Sequence, residues 1–285
     1  MVKDKKSVFL SVIRAIVIVL IVFLFILPLW IIFTGSLTDE WVFRYDGYSM
    51  IIKQFSLDGY KLFFAQSKVM KSLLNTVIVS AVTVLISTSV HLLTAYALHV
   101  KDMPMHKFFN TLFVVTMFFS AGTIPSYLVV CRLGLYGNVF SIILPGALSV
   151  YCILLIRNYF YSVPRAMTEA AVIDGANHFR ILFQVLIPVS VPVIVTTVFI
   201  CFVSKWNSWM DVMLYLDGKE DLYTIQYTLR KLFTQIEKYL SLGDEQPLYT
   251  LKNAATVISI LPLVLMFPFF QKYFTNGIMV GSVKG

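Results

Sequence analysis

Charge is what this 285-residue sequence has least of: Asp, Glu, Lys and Arg make up 13% of it, against 58% apolar residues. A soluble domain carries about 25% charged residues, because polar side chains must cover its core. With a mean hydropathy of +0.81, the deficit excludes a compact cytosolic enzyme or a disordered chain and leaves a multi-span membrane protein. Cysteine is scarce too. Cys131, Cys152 and Cys201 are scattered with no CxxC pair, so neither a disulfide framework nor a metal site is indicated. The chain also has no GxxxxGK[ST] loop for nucleotide phosphates, no HExxH and no GxSxG. It carries neither a nucleotide-driven engine nor a hydrolytic constellation.

What is present is a set of stretches free of Asp, Glu, Lys and Arg: Ala15–Thr38, Ser72–Val100, Phe108–Cys131, Leu133–Ile156, Ile181–Ser204 and Asn253–Gln271. Each is about 19 residues or longer, enough at 1.5 Å per residue to cross roughly 30 Å of hydrocarbon. They are apolar all round, as lipid-embedded helices must be. The expected fold is an all-α membrane protein with six transmembrane helices spanning 15–271, an N-terminus of 1–14 and a tail of 272–285. The basic start MVKDKKSVFLSVIR precedes an apolar run too long for a signal peptide, with no small-residue cleavage site, so the first span is expected to stay as an anchor.

An even number of spans puts both termini on one side. That side holds eleven Lys and Arg against four acids, and the other holds twelve against eleven. Orientation follows the count of basic residues, which is almost level, so charge alone leaves it open. The formal +8 then belongs to a face that meets anionic lipid or an acidic partner, not to nucleic acid. Inside the spans the ionisable residues are His91 and, at the end of the same span, His99. Gradient-driven transporters place such groups at membrane depth to bind the coupling ion. A lone histidine suits packing better than a proton relay, which disfavours that class. Prolines 28, 125, 145, 188, 192, 262 and 268 mark the spans, and Pro188 and Pro192 are expected to flex the fifth.

The loop of 159–184, between the fourth and fifth spans, carries the strongest pattern. Pro164 suits the first turn of a helix over Arg165–Ile173, Gly175 breaks it, and Asn177 can cap a second short helix. Ala170 and Ala171 permit close approach of another surface, Val172, Ile173 and Phe179 offer apolar anchors, and Glu169 and Asp174 are the loop's only acids. An interfacial hairpin lying on lipid headgroups would explain the same composition. The spacing decides: Glu169-Ala170-Ala171, three residues, Gly175, nine residues, then Val185-Leu186-Ile187-Pro188 resembles the EAA-x3-G-x9-I-x-L-P loop of ATP-binding-cassette importer permeases, with Val185 and Ile187 as conservative departures.

The resemblance extends further. IDGAN within the loop, FSLDGY, Asn75-Thr76, TAYAL at Thr94–Leu98, WNSWMD at Trp206–Asp211 and the ending PFFQKYFTNGIMVGSVKG are similar to the shorter subunit of maltose-type carbohydrate permeases, on the oligosaccharide branch of Gram-positive bacteria. The resemblance implies a type I importer permease fold in a bacterial plasma membrane, with both termini cytoplasmic. It implies a second homologous permease, two cytosolic ATPase subunits that hold the ATP and Mg, an external solute-binding lipoprotein and an oligosaccharide substrate. It assigns ATPase coupling to Glu169, Ala170, Ala171, Asp174, Gly175 and Pro188, and a cytosolic interface to Gly277, Gly281, Ser282 and Lys284. A frayed end is the plainer account of that tail. No cofactor or metal is expected on this chain.

On the opposite side, Leu222, Ile225, Leu229, Leu232, Phe233 and Ile236 recur at helical spacing and suggest an amphipathic helix on the outer membrane surface or a docked binding protein. Trp206, Asn207 and Trp209 at the end of the fifth span form a candidate sugar path: an indole face stacks on a pyranose and an amide bonds its hydroxyls. An interfacial aromatic belt uses the same residues. A same-family importer of a non-sugar solute, a gradient-driven transporter and a membrane-embedded enzyme are the alternatives to a carbohydrate permease.

Overall fold

The computed structural model describes residues 5–241 and 248–282 and, among these, consists of helices and connecting turns with one isolated bridge between Thr38 and Phe55. Four helices are long and apolar enough to cross a membrane: Leu10–Ser36, Lys68–His99, Phe140–Ser162 and Leu248–Tyr273. Two further spans are bent pairs, His106–Phe118 with Thr123–Arg132 at 117°, and His178–Val189 with Val191–Trp206 at 84°.

The bends have local causes. The third stretch, read as continuous, breaks where Phe119 turns extended and Gly122 takes φ +86°, a left-handed conformation that a Cβ would strain. Ser126 then returns its hydroxyl to the Gly122 carbonyl at 2.8 Å. In the fifth, residues Ile181–Leu186 widen into a π-helical turn ahead of Pro188. Ser190 ends that segment, and Pro192 starts the next helix, where its missing N–H is no loss. The fourth span also starts later than expected: residues from Leu133 form turns, the helix begins at Phe140, and Pro145 opens a short 3-10 turn before the main run Val150–Ser162. Pro28, Pro262 and Pro268 sit inside helices that continue past them.

The chain divides into two compact units. The first comprises 1–69 and 231–261. Its opening helix exposes nearly every apolar side chain from Leu10 to Phe25, as a lipid-facing span does. Trp30 Nε1 and Thr34 Oγ1 tie the end of that helix to the carbonyls of Met50 and Ser49. Glu40 is buried, pairs with Arg44 at 3.1 Å, and accepts from the amides of Tyr249 and Thr250 and from the Thr250 hydroxyl. A carboxylate is thereby set on the orphan N–H groups at the start of the final helix.

The second unit comprises 70–230 and 262–285. One of its clusters packs Leu98, Ile153, Ile156, Phe160, Leu182 and Leu186 directly behind the 159–184 loop. Another gathers Val79, Val130, Ile142, Val212, Tyr215 and Tyr223. The second span presents Ser72, Thr76, Ser80, Thr83, Ser87 and His91 in one buried line. All but His91 are small side chains at helical spacing, which lets neighbouring backbones approach. The helix Ile225–Ser241, whose residues up to 230 belong to this unit, buries Ile225 and Leu229, so the start of its apolar stripe is covered by protein where a membrane-surface or binding-protein contact was expected. Its start is fixed to the second span, where Ile225 N–H donates to Thr76 Oγ1 at 2.7 Å and Ser72 and Thr228 share a hydrogen bond.

Candidate functional site

The 159–184 loop folds as its residues require. Pro164 sets up the helix Arg165–Ile173, Asp174 closes it, and Gly175 follows at φ +75°. Gly175 N–H donates to the Val172 carbonyl at 3.0 Å and Ala176 N–H to the Ala171 carbonyl at 2.9 Å. These two bonds around a left-handed glycine make a Schellman cap. Its accompanying apolar contact is present as well: Ala171 and Ala176 are both partly buried against the cluster behind the loop. Asn177 then accepts from Arg180 N–H at 2.9 Å and starts the next helical turn. A Cβ on Gly175 would meet nothing within 4 Å, so the demand for glycine here is conformational and not steric.

Among the described residues, nothing covers the outer face of this element. No residue of Arg165–Ile173 is buried; Val172 is 59% exposed and Ile173 86%. Phe179 is exposed too, and so are Glu169, Ala170, Asp174 and Pro188. Val172 and Ile173 at the end of a capped nine-residue helix, with Phe179 on the turn that follows, present exposed apolar surface of the kind that marks a contact site. Behind the helix lies a cavity of about 340 Å³ whose lining includes Tyr96, His99, Lys101, Arg165, Glu169 and His178. Tyr96 and His178 share a 2.9 Å hydrogen bond that links the loop to the second span. Arg157 bonds Asn110 and Asn158 and lies over Tyr161, tying the third and fourth spans together near the same end.

At the far end of the fifth span, Trp206 is 1% exposed and lies against Phe202 with ring centroids 5.6 Å apart. Both of its neighbours differ. Trp209 carries the Arg230 guanidinium over its ring at 3.8 Å, a cation–π contact that covers one face. Asn207 is exposed, and its amide donates to the Val203 carbonyl. Of the three residues of the candidate sugar path, Trp206 is therefore buried, Asn207 is exposed and Trp209 has one ring face covered. A pocket of about 280 Å³ does form beside them, lined by Gly146, Ser149, Ile200, Cys201, Ser204, Lys205, Ser208 and Asp211. Lys205 is buried there and pairs with Asp211 at 3.3 Å, while Ser208 donates to the same carboxylate at 2.8 Å. Further out, burial and then Asp217 push the Tyr227 phenol up to about 12, and burial and then Asp211 raise that of Tyr215. Both stay protonated donors at physiological pH.

Among the described residues one cluster could hold a metal ion: His91, Cys152 and Cys201, all buried, with ligand atoms within 4.8 Å of one another. The fold brings together cysteines that the sequence leaves far apart, their sulfurs 3.9 Å from each other. His91 Nε2 already accepts the Ser149 N–H at 2.9 Å, at the point where the fourth span is interrupted. That bond occupies the ring nitrogen and makes the histidine an anchor for the break. The final helix runs on through Gly277, Gly281 and Ser282. The surroundings of these three lie outside the described residues, as does Lys284 entirely.

Sequence reasoning missed Lys205, Asp211, Ser149 and the Tyr96–His178 tie. A signal for the first existed: Lys205 directly follows a charge-free run and precedes Trp206, where a buried charge needs a reason.

Comparison with known proteins now bears on this arrangement. The family described as "Binding-protein-dependent transport system inner membrane component" matches residues 103–280. The chain is 35% identical over 242 residues to the polygalacturonan/rhamnogalacturonan transport system permease protein YtcP of Bacillus subtilis, covering 83% of this chain and 84% of that one. It is 26% identical to the arabinooligosaccharides transport system permease protein AraQ of Halalkalibacterium halodurans, over 99% of this chain and all of the relative. Among solved structures, a chain of a bacterial ABC transporter involved in the import of the acidic polysaccharide alginate superposes with TM-score 0.86 at 27% identity, covering 96% of this chain and 99% of that one.

Proposed function

This chain belongs to the binding-protein-dependent transport inner-membrane components, and from that membership we propose that it imports carbohydrate as one of two paired permease subunits. It is a multi-pass membrane protein of the type I importer permease fold and a component of a transporter, not an enzyme. The proposal adds specific partners: a second homologous permease, two cytosolic ATPases that bind ATP and Mg, and an external solute-binding lipoprotein. It adds an orientation with both termini in the cytoplasm of a bacterial cell. The chain itself would bind no cofactor.

The observation that carries the coupling role is the capped helix Arg165–Ile173, fully exposed on its outer face at the position of the EAA-type spacing. In this reading Val172, Ile173 and Phe179 seat in a cleft on the ATPase. Glu169 supplies the fixed charge, and the Schellman cap at Gly175 keeps helix and loop moving as one lever. The cluster of Leu98, Phe160, Leu182 and Leu186 would pass that motion to the spans. The 84° bend at Ser190 would let the fifth span rock while its outer half keeps its packing. Binding of the solute receptor outside and closure of the ATPases inside would bias one two-state equilibrium, so each site senses the other.

Carbohydrate is supported by the relatives, which are named for polygalacturonan/rhamnogalacturonan and arabinooligosaccharides, and by the solved transporter, which imports alginate. The test is purification of the assembled complex in mild detergent, followed by mass spectrometry of the co-purifying receptor and its bound solute. A glycan is expected. An amino acid or a phosphate ester in the receptor overturns the carbohydrate reading and leaves the importer fold standing.

A further inference from the structure

Lys205 and Glu40 are the buried Lys, Arg, Asp or Glu side chains among the described residues, and only Lys205 is loosely paired. It is 7% exposed at the end of the fifth span and lines the 280 Å³ pocket with its ammonium. An ammonium has three N–H donors. Among the described residues Lys205 has one partner, Asp211, at 3.3 Å. That is long for a charge-assisted bond, which closes to about 2.8 Å when well made. The Asp211 carboxylate is meanwhile 42% exposed and shared with Ser208. A buried cation with two donors unspent and a loosely held counter-ion bears a desolvation cost its own chain does not offset.

The pocket around it is built for polar contact. Ser149, Ser204 and Ser208 contribute hydroxyls, and Ser204 is exposed with no hydrogen-bond partner among the described residues. Gly146 leaves the space above the ammonium open, since a Cβ there would lie 3.2 Å from Lys205 Nζ. The volume is at the low end for ligand sites, suited to about one ring and not a chain. A carboxylate satisfies the unspent donors, and ring hydroxyls satisfy the serines. Both groups occur together on a uronic-acid residue.

We infer that the pocket of Lys205, Gly146, Ser149, Ser204 and Ser208 is a uronate subsite of the translocation path, in which the substrate carboxylate displaces Asp211 from the lysine. The inference rests on the carbohydrate reading above and narrows it to acidic saccharides. Asp211 then serves as the stand-in anion while the subsite is empty, and Ser208 holds it ready to return.

The test is uptake of labelled trigalacturonate and of maltotriose by the native host, with the variants placed in its own gene and each variant's membrane level measured. Saturating substrate keeps the external receptor loaded, so the rate reads the permease step. Lys205→Gln is expected to lower trigalacturonate uptake by about tenfold or more, the worth of a lost charge-assisted hydrogen bond. Asp211→Asn leaves Lys205 without its resting anion and is expected to raise the ratio of trigalacturonate to maltotriose uptake at matched membrane level, the reverse of Lys205→Gln. Gly146→Ala, which keeps the lysine but crowds it, should fall in between and decides the matter if Lys205→Gln does not reach the membrane. Native uptake in Lys205→Gln or in Gly146→Ala overturns the subsite. Equal losses in Lys205→Gln and Asp211→Asn do so too, because an ion pair that only holds the fold gives that result. A wild type that takes up maltotriose and no trigalacturonate refutes the uronate assignment while the carbohydrate reading survives. Uptake of neither sugar, with a receptor holding a non-sugar solute, sinks both.

Discussion

At the residue scale, the fold depends on buried polar groups that each answer a specific backbone need. Glu40 is the clearest: two amides and one hydroxyl at the start of the final helix, together with Arg44, converge on its carboxylate. Glu40→Ala would leave those donors buried without an acceptor, a loss of about 2 kcal/mol. Thermal unfolding in detergent should show a lowered midpoint, with Glu40→Gln retaining part of it; an unchanged midpoint in Glu40→Ala would mean water replaces the carboxylate. His91 belongs to the same class, since its ring accepts the Ser149 amide at the break before Val150. Neither role can be read from sequence. Each depends on a partner 58 or some 210 positions away.

At the element scale, the helix Arg165–Ile173 and its cap were legible because every signal in them is local. Proline at the start, alanines within, glycine at the left-handed position and asparagine at the next N-cap all act within a few residues. The empty surroundings of Gly175 sharpen what its replacement should do. An L-residue other than asparagine or aspartate forced to φ +75° incurs about 1–2 kcal/mol whatever its size. Gly175→Ala and Gly175→Leu are therefore expected to impair ATP-dependent uptake in reconstituted vesicles alike, with normal membrane insertion. Gly175→Asn should retain most of it, because asparagine tolerates the left-handed region. A graded loss with side-chain volume would point to steric exclusion at the ATPase instead of a lever joint. The bends in the third and fifth spans were less legible. The prolines and Gly122 mark where a helix can break, but whether it kinks by a few degrees or turns by 117° depends on what its far half packs against.

At the scale of the whole molecule, orientation is the open quantity that one measurement settles. Ile173 and Tyr45 are 86% and 85% exposed, so both sites are equally reachable once a reagent is on their side. With Cys131 replaced, and Cys152 and Cys201 buried, an impermeant maleimide should label Tyr45→Cys in intact cells and Ile173→Cys only after permeabilisation. The reverse pattern would invert the proposed topology. Composition and six charge-free runs were enough for the membrane class and the helical architecture, because hydrocarbon leaves a chain with unpaired backbone groups almost no other choice. The helix Arg165–Ile173 and its cap followed from short-range spacing. What only the tertiary structure decided is which polar residues share a space. It buried Trp206 and covered one face of Trp209 with Arg230, two residues of the candidate sugar path. It gathered Gly146, Ser149, Lys205 and Asp211 into one pocket beside it. Backbone hydrogen bonding is answered within each helix and so is written locally, whereas a pocket is made by helices that meet, and nothing in either helix alone records which face the other will bring.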